Sequence, residues 1–262
     1  LSSAAAAWTP SRNAAVWAPT TTNSTTSLSP KYVAVDVECV AVGKTYKDRA
    51  VGLIAAVDEN HDTIFFEYVK PNKPITSPMT LLTGIKREHL QNARTLEEVM
   101  VDLRTVLGNN CILVGHGLKS DISWLGLRAG IDFVDKKDTA KLFSISSLDN
   151  DKVTITPSLR HLCMAMFGID MQEGIHSPVV DALYAMKLYQ LYCNATPEQI
   201  MHSKEVIRNT PRPPPIASRY PYIDNCALSS KSAKYAIELE AIHPSKIIFL
   251  DIDGVLNRTR QS

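Results

Sequence analysis

Three early segments carry apolar residues at strand spacing: YVAVDVE (32 to 38), AVGLIAAV (50 to 57) and TIFFEYV (63 to 69). Each is rich in β-branched or aromatic residues and bounded by polar turns, which predicts consecutive strands of one sheet. Thr95 with Glu98 three residues later forms a capping box that opens an amphipathic helix to about Leu107. The apolar CILVG run (111 to 115) reads as a short buried strand. Helices are expected at about 120 to 129, at 157 to 167 and at 178 to 192. The last two open on Pro157 and Pro178 at the first helical position, where a missing N–H costs nothing. Strands first, then alternating helix and strand, imply an α/β or α+β layered domain from Lys31 to about Ala195.

The flanks read differently. Residues 1 to 30 are almost entirely Ala, Ser, Thr, Asn and Pro, with Arg12 as the only formal charge, a composition that predicts a disordered lead-in. The absence of acids there also admits a transit peptide, although one arginine gives it little support. The chain opens on Leu1 rather than methionine, as a processed or incomplete chain would. Beyond Ala195 come a capped helix (Thr196, Pro197, Gln199), the run PRPPP (211 to 215), a helical stretch near 231 to 242, and KIIFLDIDGVLN. The prolines suggest a linker and a domain boundary. Four segments follow: a lead-in (1 to 30), the main domain (31 to 195), a helical extension with its linker (196 to 245) and a C-terminal start of something further (246 to 262).

Composition limits the classes. A chain of 262 residues that is 45% hydrophobic can bury one sizeable core with appendages. Its apolar runs, such as IIFL (247 to 250), are far from the roughly 20 residues that cross a bilayer, so no membrane association is expected. Five cysteines, at 39, 111, 163, 193 and 226, show no CxxC or Cys/His spacing. That argues against a disulfide framework or zinc site and for a reducing compartment.

The candidate chemistry begins with Asp36 and Glu38, two apart on a predicted strand and so on one face, with Val35 and Val37 on the other. Alone, such a pair is an ordinary solvated strand edge. Asp121 follows LVGHGLKS at the start of a helix with Ser120 as candidate N-cap, where the positive helix end would stabilise its charge. Asp181 falls in the first turn of the helix begun by Ser177 and Pro178, with His176 just before it. Each has a bland explanation alone. Their ordered combination is informative, because phosphodiester hydrolysis is served by two divalent ions roughly 4 Å apart, and hard ions take carboxylate oxygen and water. A histidine with an ordinary pKa of about 6.5 can accept the proton of the attacking water, so His176 is cast as base rather than ligand.

These residues resemble the DEDDh exonucleases, a DnaQ-like group with a ribonuclease H-like fold, and more narrowly the RNA exonuclease branch containing the Rex proteins and the interferon-stimulated exonuclease. The resemblance covers about 31 to 195. It rests on VAVDVECVAVG, EYVKPNKPIT followed by TGIKREHL, ILVGHGLKSDISWL, KDTAKLF, PSLRHLCMAMFGI and HSPVVDALYAMKLYQLY, in that order. It implies a mixed sheet flanked by helices and a 3′-to-5′ exonuclease that uses two Mg²⁺ or Mn²⁺ ions and releases nucleoside 5′-monophosphates. Asp36 would bridge both ions, Glu38 and Asp181 would complete the site of the ion that activates water, and Asp121 would hold the second ion through water. His176 would be the general base, and backbone near Glu38, Cys39 and Val40 would meet the terminal 3′-OH. The sequence departs from the family pattern at Val37, often Cys there, and at Cys39, often Met, which bears on the wedge against the terminal base.

The same resemblance implies a single-stranded nucleic acid partner, RNA before DNA, a role in RNA processing such as that of ribosomal RNA, and a nuclear or nucleolar location with the cytoplasm as alternative. Charge adds little, since residues 31 to 195 hold 18 Lys and Arg against 20 Asp and Glu, a balance of −2. Lys86, Arg87, Lys136, Lys137 and Lys141 are candidate phosphate contacts, with solvated surface charge as their ordinary reading. His116 reads as a structural residue beside Asp121, and Trp124 and Leu125 as core, with base stacking the lesser reading for Trp124. The segment KIIFLDIDGVLN resembles the first motif of haloacid-dehalogenase-like phosphohydrolases, with Asp251 as nucleophile and Asp253 as acid/base. Only nine residues follow Asp253, so either a second domain is cut short or the segment is a strand and turn. A DNA-directed exonuclease and a noncatalytic RNA-binding module attached to a hydrolase are the alternative functions.

Overall fold

In the computed structural model, which describes residues 31–147, 153–171 and 175–232, the three early apolar runs form an antiparallel meander. β1 (Tyr32–Ala41) pairs with β2 (Arg49–Asp58), and β2 with β3 (Thr63–Lys70). Two short helices follow, α1 (Thr80–Thr83) and α2 (Arg87–Gln91), then β4 (Arg94–Thr95) and α3 (Leu96–Leu107). The capping box of α3 is formed: the Thr95 hydroxyl accepts from the Glu98 N–H, and the Glu98 carboxylate accepts from the Thr95 N–H at 2.8 Å. The chain continues through β5 (Ile112–Gly115), α4 (Lys119–Leu125), β6 (Asp135–Asp138), α5 (Thr139–Leu142), β7 (Ile145–Ser146), β8 (Thr154–Ile155) and α6 (Leu159–Phe167). It ends in α7 (Pro178–Asn194), α8 (Pro197–Asn209), α9 (Ile216–Arg219), β9 (Tyr222–Ile223) and β10 (Cys226–Ala227).

The main sheet has the order β4-β3-β2-β1-β5-β6, with β5 parallel to β1 and β6 parallel to β5. Side-chain alternation along β1 divides the layers. Val33 and Val35 pack into the core with Val99, Met100 and Leu103 of α3, whereas Ala34 packs with Ala182, Met186 and Tyr189 of α7. Asp36 and Glu38 continue the Ala34 row and so face the α7 layer. β5 pairs with β1 only at Tyr32, Val33 and Ala34. The acid-bearing half of β1 therefore has an open edge at the carboxyl end of the parallel pair, where ligand crevices form in such sheets.

Four local expectations are corrected. α4 stops at Leu125, because Gly126 adopts a left-handed conformation (φ 60°) and ends the helix as a glycine C-cap does. Its N-cap is Leu118, with no side-chain cap bond, so Ser120 lies inside the helix. Ser158 rather than Pro157 sets the start of α6, its hydroxyl accepting from the His161 N–H at 3.2 Å. Leu118, Ile122 and Leu125 form the core stripe of α4, which leaves Trp124 off that face and 37% exposed.

Helix α8 packs on α6, with Ile207 among Leu162, Cys163 and Leu188 and an imidazole nitrogen of His161 2.9 Å from the Thr210 carbonyl. Past the prolines, the β9–β10 hairpin buries Ile223 and Cys226 against Ala41 and Met79. The lead-in (1 to 30), most of the helical stretch expected near 231 to 242, and KIIFLDIDGVLN lie outside the described residues. Among the described residues no helix is long and apolar enough to cross a membrane.

Candidate active site

Three elements deliver the acids. On β1, Glu38 pairs with Leu53 while Cys39 pairs with Val51, so Gly52 is passed over and the ladder breaks beside Glu38. A Cβ on Gly52 would lie 2.8 Å from Val40 Cγ1 and 3.0 Å from Ile85 Cδ1; the bulge is packed too tightly for a larger residue. On α4, Asp121 comes close to β1 because the chain turns sharply after β5. A Cβ on Gly115 would lie 2.5 Å from Leu118 Cδ2 and 3.3 Å from the Val35 carbonyl. On α7, Pro178 occupies the first helical position and Asp181 the first turn, its N–H donating to the Ser177 carbonyl at 2.9 Å. The loop before α7 is pinned by the His176 N–H, which donates to the Leu82 carbonyl at 2.7 Å.

Donor atoms of Glu38, His176 and Asp181 all lie within 4.8 Å of one another. His176 Nδ1 is 3.9 Å from Asp181 Oδ2, an electrostatic contact too long for a hydrogen bond. His176 Nε2 is buried and has no hydrogen-bond partner among the described residues. Asp36 joins the same field: burial first, then the charges of Asp181, Asp121 and Glu38, push its carboxyl well above the ordinary value. Glu38 is pushed up to about 8 by burial and then by Asp181 and Asp121.

Asp121 is pushed up to about 7, burial again leading; backbone hydrogen bonds at Asp121 and Val37 pull the other way, and Asp138 adds repulsion. The expected helix-end stabilisation of its charge, about 0.3–1 kcal/mol, is outweighed by burial, since a rise from 3.8 to about 7 corresponds to roughly 4 kcal/mol. The His176 imidazole is held below its usual value by burial and then by the Arg160 guanidinium. Arg160 is itself gripped by Asp170 through two bonds of 2.7 and 2.6 Å.

Buried, mutually repelling carboxylates with an imidazole beside them fit a hard divalent cation, which replaces bound protons and supplies the missing positive charge. Residues 33–189 match the RNase_T exonuclease family, a span that contains all five of these residues. The chain belongs to this exonuclease family. Among its relatives are RNA exonuclease 4 of Gibberella zeae, 35% identical over 63% of this chain and 50% of the relative, and RNA exonuclease 4 of Saccharomyces cerevisiae, 36% identical over 61% and 54%. The chain spans about half the length of the curated relatives it matches. Among solved structures, the Neurospora crassa Pan2 catalytic unit (protease and nuclease domain) aligns with a TM-score of 0.56 at 20% identity, covering 70% of this chain and 30% of that one. A Saccharomyces cerevisiae Pan2 module in complex with A7 RNA aligns with a TM-score of 0.53 at 20% identity, over 84% and 33%. These likenesses are of fold: the ribonuclease H-like mixed sheet flanked by helices.

The other candidates in this exonuclease domain divide. Cys39 is half-buried beside the acids, its thiol pushed up to about 12 by burial and then by Glu38 and Asp121. The Val40 side chain is fully buried with Leu53, Ile85 and Leu90, which leaves only its backbone for a ligand. Lys86 is exposed and lies 3.6 Å from Glu88. Arg87 directs its guanidinium to the carbonyls of Ile75 (3.1 Å) and Thr76 (2.9 Å), so it braces a loop. Lys137 pairs with Asp135 at 2.7 Å, while Lys136 and Lys141 are exposed. His116 contacts the Thr139 hydroxyl at 3.1 Å, and burial pushes it down to about 4, in keeping with a structural role.

Three contributors are not singled out by sequence. Asp138 adds negative charge at Asp121 while capping the Gly117 and Ala140 N–H groups. Arg160 adds positive charge at His176. The Leu82 carbonyl anchors the histidine loop. Asp138 had a local signal, since an Asp directly before a Thr-led helix is a cap pattern; the other two are purely tertiary.

Proposed function

We propose that this chain is a metal-dependent 3′-to-5′ exoribonuclease in which Asp36, Glu38, Asp121 and Asp181 hold two divalent ions, Mg²⁺ or Mn²⁺, and His176 is the general base. The observation that carries this reading is the convergence of buried, mutually repelling acids from β1, α4 and α7 with an imidazole whose Nε2 has no partner among the described residues. When bound, the ions supply neutralisation of charge on the attacking, leaving and nonbridging oxygens. His176, neutral at pH 7 because burial and Arg160 depress its pKa, accepts the proton of the attacking water at Nε2. Its position is set through the Leu82 carbonyl. The strand backbone at Cys39 and Val40 is the candidate seat of the terminal 3′-OH, which selects an end without reading a base.

RNA as substrate is supported by the relatives named RNA exonuclease 4; an RNA-processing role and a nuclear location extend the same reading. The test is digestion of matched 5′-labelled RNA and DNA single strands with and without EDTA. The expected result is a ladder shortening from the 3′ end, faster on RNA, releasing 5′-mononucleotides and stopped by EDTA. Faster digestion of DNA would transfer the activity to that substrate. Digestion that persists in EDTA would remove the ions from the mechanism.

A further inference from the structure

The β9–β10 hairpin lies beyond residues 33–189, the span that matches the exonuclease family, yet it is packed onto that domain. Its turn residues Asp224 and Asn225 both have positive φ, 48° and 63°, the conformation of a tight two-residue hairpin turn. Three contacts fix it in place. Arg49 Nη2 donates to the Ala227 carbonyl at 2.6 Å, the Ala227 N–H donates to the Lys44 carbonyl at 2.9 Å, and Ile223 and Cys226 pack on Ala41 and Met79. A further contact is between side chains. The Ser77 hydroxyl donates to Asp224 Oδ2 at 2.5 Å.

That bond leads to the active-site loop. The same Ser77 oxygen accepts from the Met79 N–H at 2.9 Å. Because a carboxylate can only accept, Asp224 fixes the direction of the hydroxyl proton and leaves the oxygen lone pairs for Met79. Met79 needs such restraint: its φ is 56°, it is 1% exposed, and a left-handed conformation is costly for a residue with a Cβ. Met79 opens α1, its carbonyl accepting from the Leu82 N–H at 2.8 Å and the Thr83 N–H at 3.0 Å. Helix α1 has only four residues, so its carbonyls have few intrahelical partners. The Leu82 carbonyl is given to the His176 N–H. A second contact backs the first, because a Cβ on Gly84 would come within 2.8 Å of Ile175 Cγ2.

We infer that the β9–β10 hairpin is a positioning device for His176: Asp224 orients Ser77, Ser77 holds Met79 and α1, and α1 holds the histidine loop. Asp224 is a positioning residue with no contact to the reacting atoms. The inference rests on His176 as general base, but its structural half can be read without activity.

The test uses the full chain with Asp224→Gly, which keeps the positive φ and removes the carboxylate, and Asp224→Asn, whose amide oxygen can still accept from Ser77 and which tolerates the turn. In hydrogen exchange, Asp224→Gly speeds exchange in peptides covering 79–84 and 175–177 while α3 and α7 stay protected, and Asp224→Asn restores protection. In kinetics on 5′-labelled RNA, Asp224→Gly lowers kcat about tenfold with KM nearly unchanged, short of the hundredfold or more expected for loss of the base itself. In a His176→Ala background the same substitution causes no further loss, because the two act through one group. Unchanged exchange at 175–177, or an equal rate loss with and without His176, overturns the inference. If Asp224→Gly also exposes α3 and α7, Ser77→Ala supplies the same comparison with the turn intact. A wild-type chain without nuclease activity whose 175–177 segment still loosens in the variant removes the proposed function and leaves the hairpin's hold on the loop standing.

Discussion

Replacing a buried carboxylate by its amide separates charge from shape, and Asp36 is where that separation tells most. Its carboxyl is pushed up by burial and by Asp181, Asp121 and Glu38, so at neutral pH without metal its charge opposes folding. Asp36→Asn therefore has two expected effects of opposite sign: nucleotide release falls at least about a thousandfold, while the melting temperature in EDTA rises. Release of mononucleotides at near wild-type rates would show that Asp36 is not a metal ligand. For His176 the expectation differs, because its role is proton transfer. His176→Ala lowers kcat by about 10²–10⁴ and keeps most of the divalent-ion stabilisation seen by thermal melting, since four carboxylates remain. Loss of that stabilisation would instead make the imidazole a ligand, which its place within 4.8 Å of Glu38 and Asp181 donor atoms would then explain. The spacing of acids and histidine was legible in the sequence; the charges tuning them were not. Arg160 reaches the field of His176 only through the packing of α6 beside α7, which no local pattern records.

Among the elements, those whose own residues carry the signal are legible in the sequence. The meander of β1 to β3 follows from its runs of β-branched and aromatic residues and their polar turns, α3 from its capping box, and α7 from Pro178. Thr95→Ala removes the α3 cap and costs about 1 kcal/mol, a drop of roughly 2–4 °C in melting temperature, with kcat unchanged because α3 lies on the sheet face away from Asp36 and Glu38. A larger drop, or a change in kcat, would mean that α3 supports the site. The elements misread are those set by contact. α4 is capped at Leu118 and starts at Lys119 because β5 turns at Gly115 against β1, a constraint from another strand. Trp124 is apolar but off the stripe of Leu118, Ile122 and Leu125, so hydrophobicity alone placed it wrongly. The hairpin at 222–227 is too short to have a period, and its register is fixed by Arg49, Ser77 and Met79 from far up the chain.

For the whole molecule, the cost of gathering the acids should appear as a dependence of stability on both pH and metal. Glu38 has an ordinary value of 4.5 and is held at about 8 in the folded chain. Between those values the folded state binds more protons than the unfolded state, so stability falls as pH rises. The contribution is fully present below about pH 4.5 and is lost as pH passes about 8, and Asp121, held at about 7, adds to the same window. His116, pushed down to about 4, acts in the other direction: its contribution is present above about 6.5 and is lost as pH falls toward 4. The metal-free protein is therefore squeezed from both sides, with the alkaline side set by the acids. A divalent cation takes the place of their protons, so its stabilisation must grow with pH across the carboxylate window. At a hundredfold excess over its dissociation constant a single ion contributes about 2.7 kcal/mol, roughly 5–10 °C for a chain of this size. Thermal melts in EDTA and in excess Mn²⁺ between pH 5 and 8.5 should diverge steadily, and Asp36→Asn should bring the two curves closer by raising the EDTA branch. Parallel curves would mean that the ion binds elsewhere, because a site built from these carboxylates exchanges protons for metal over that range.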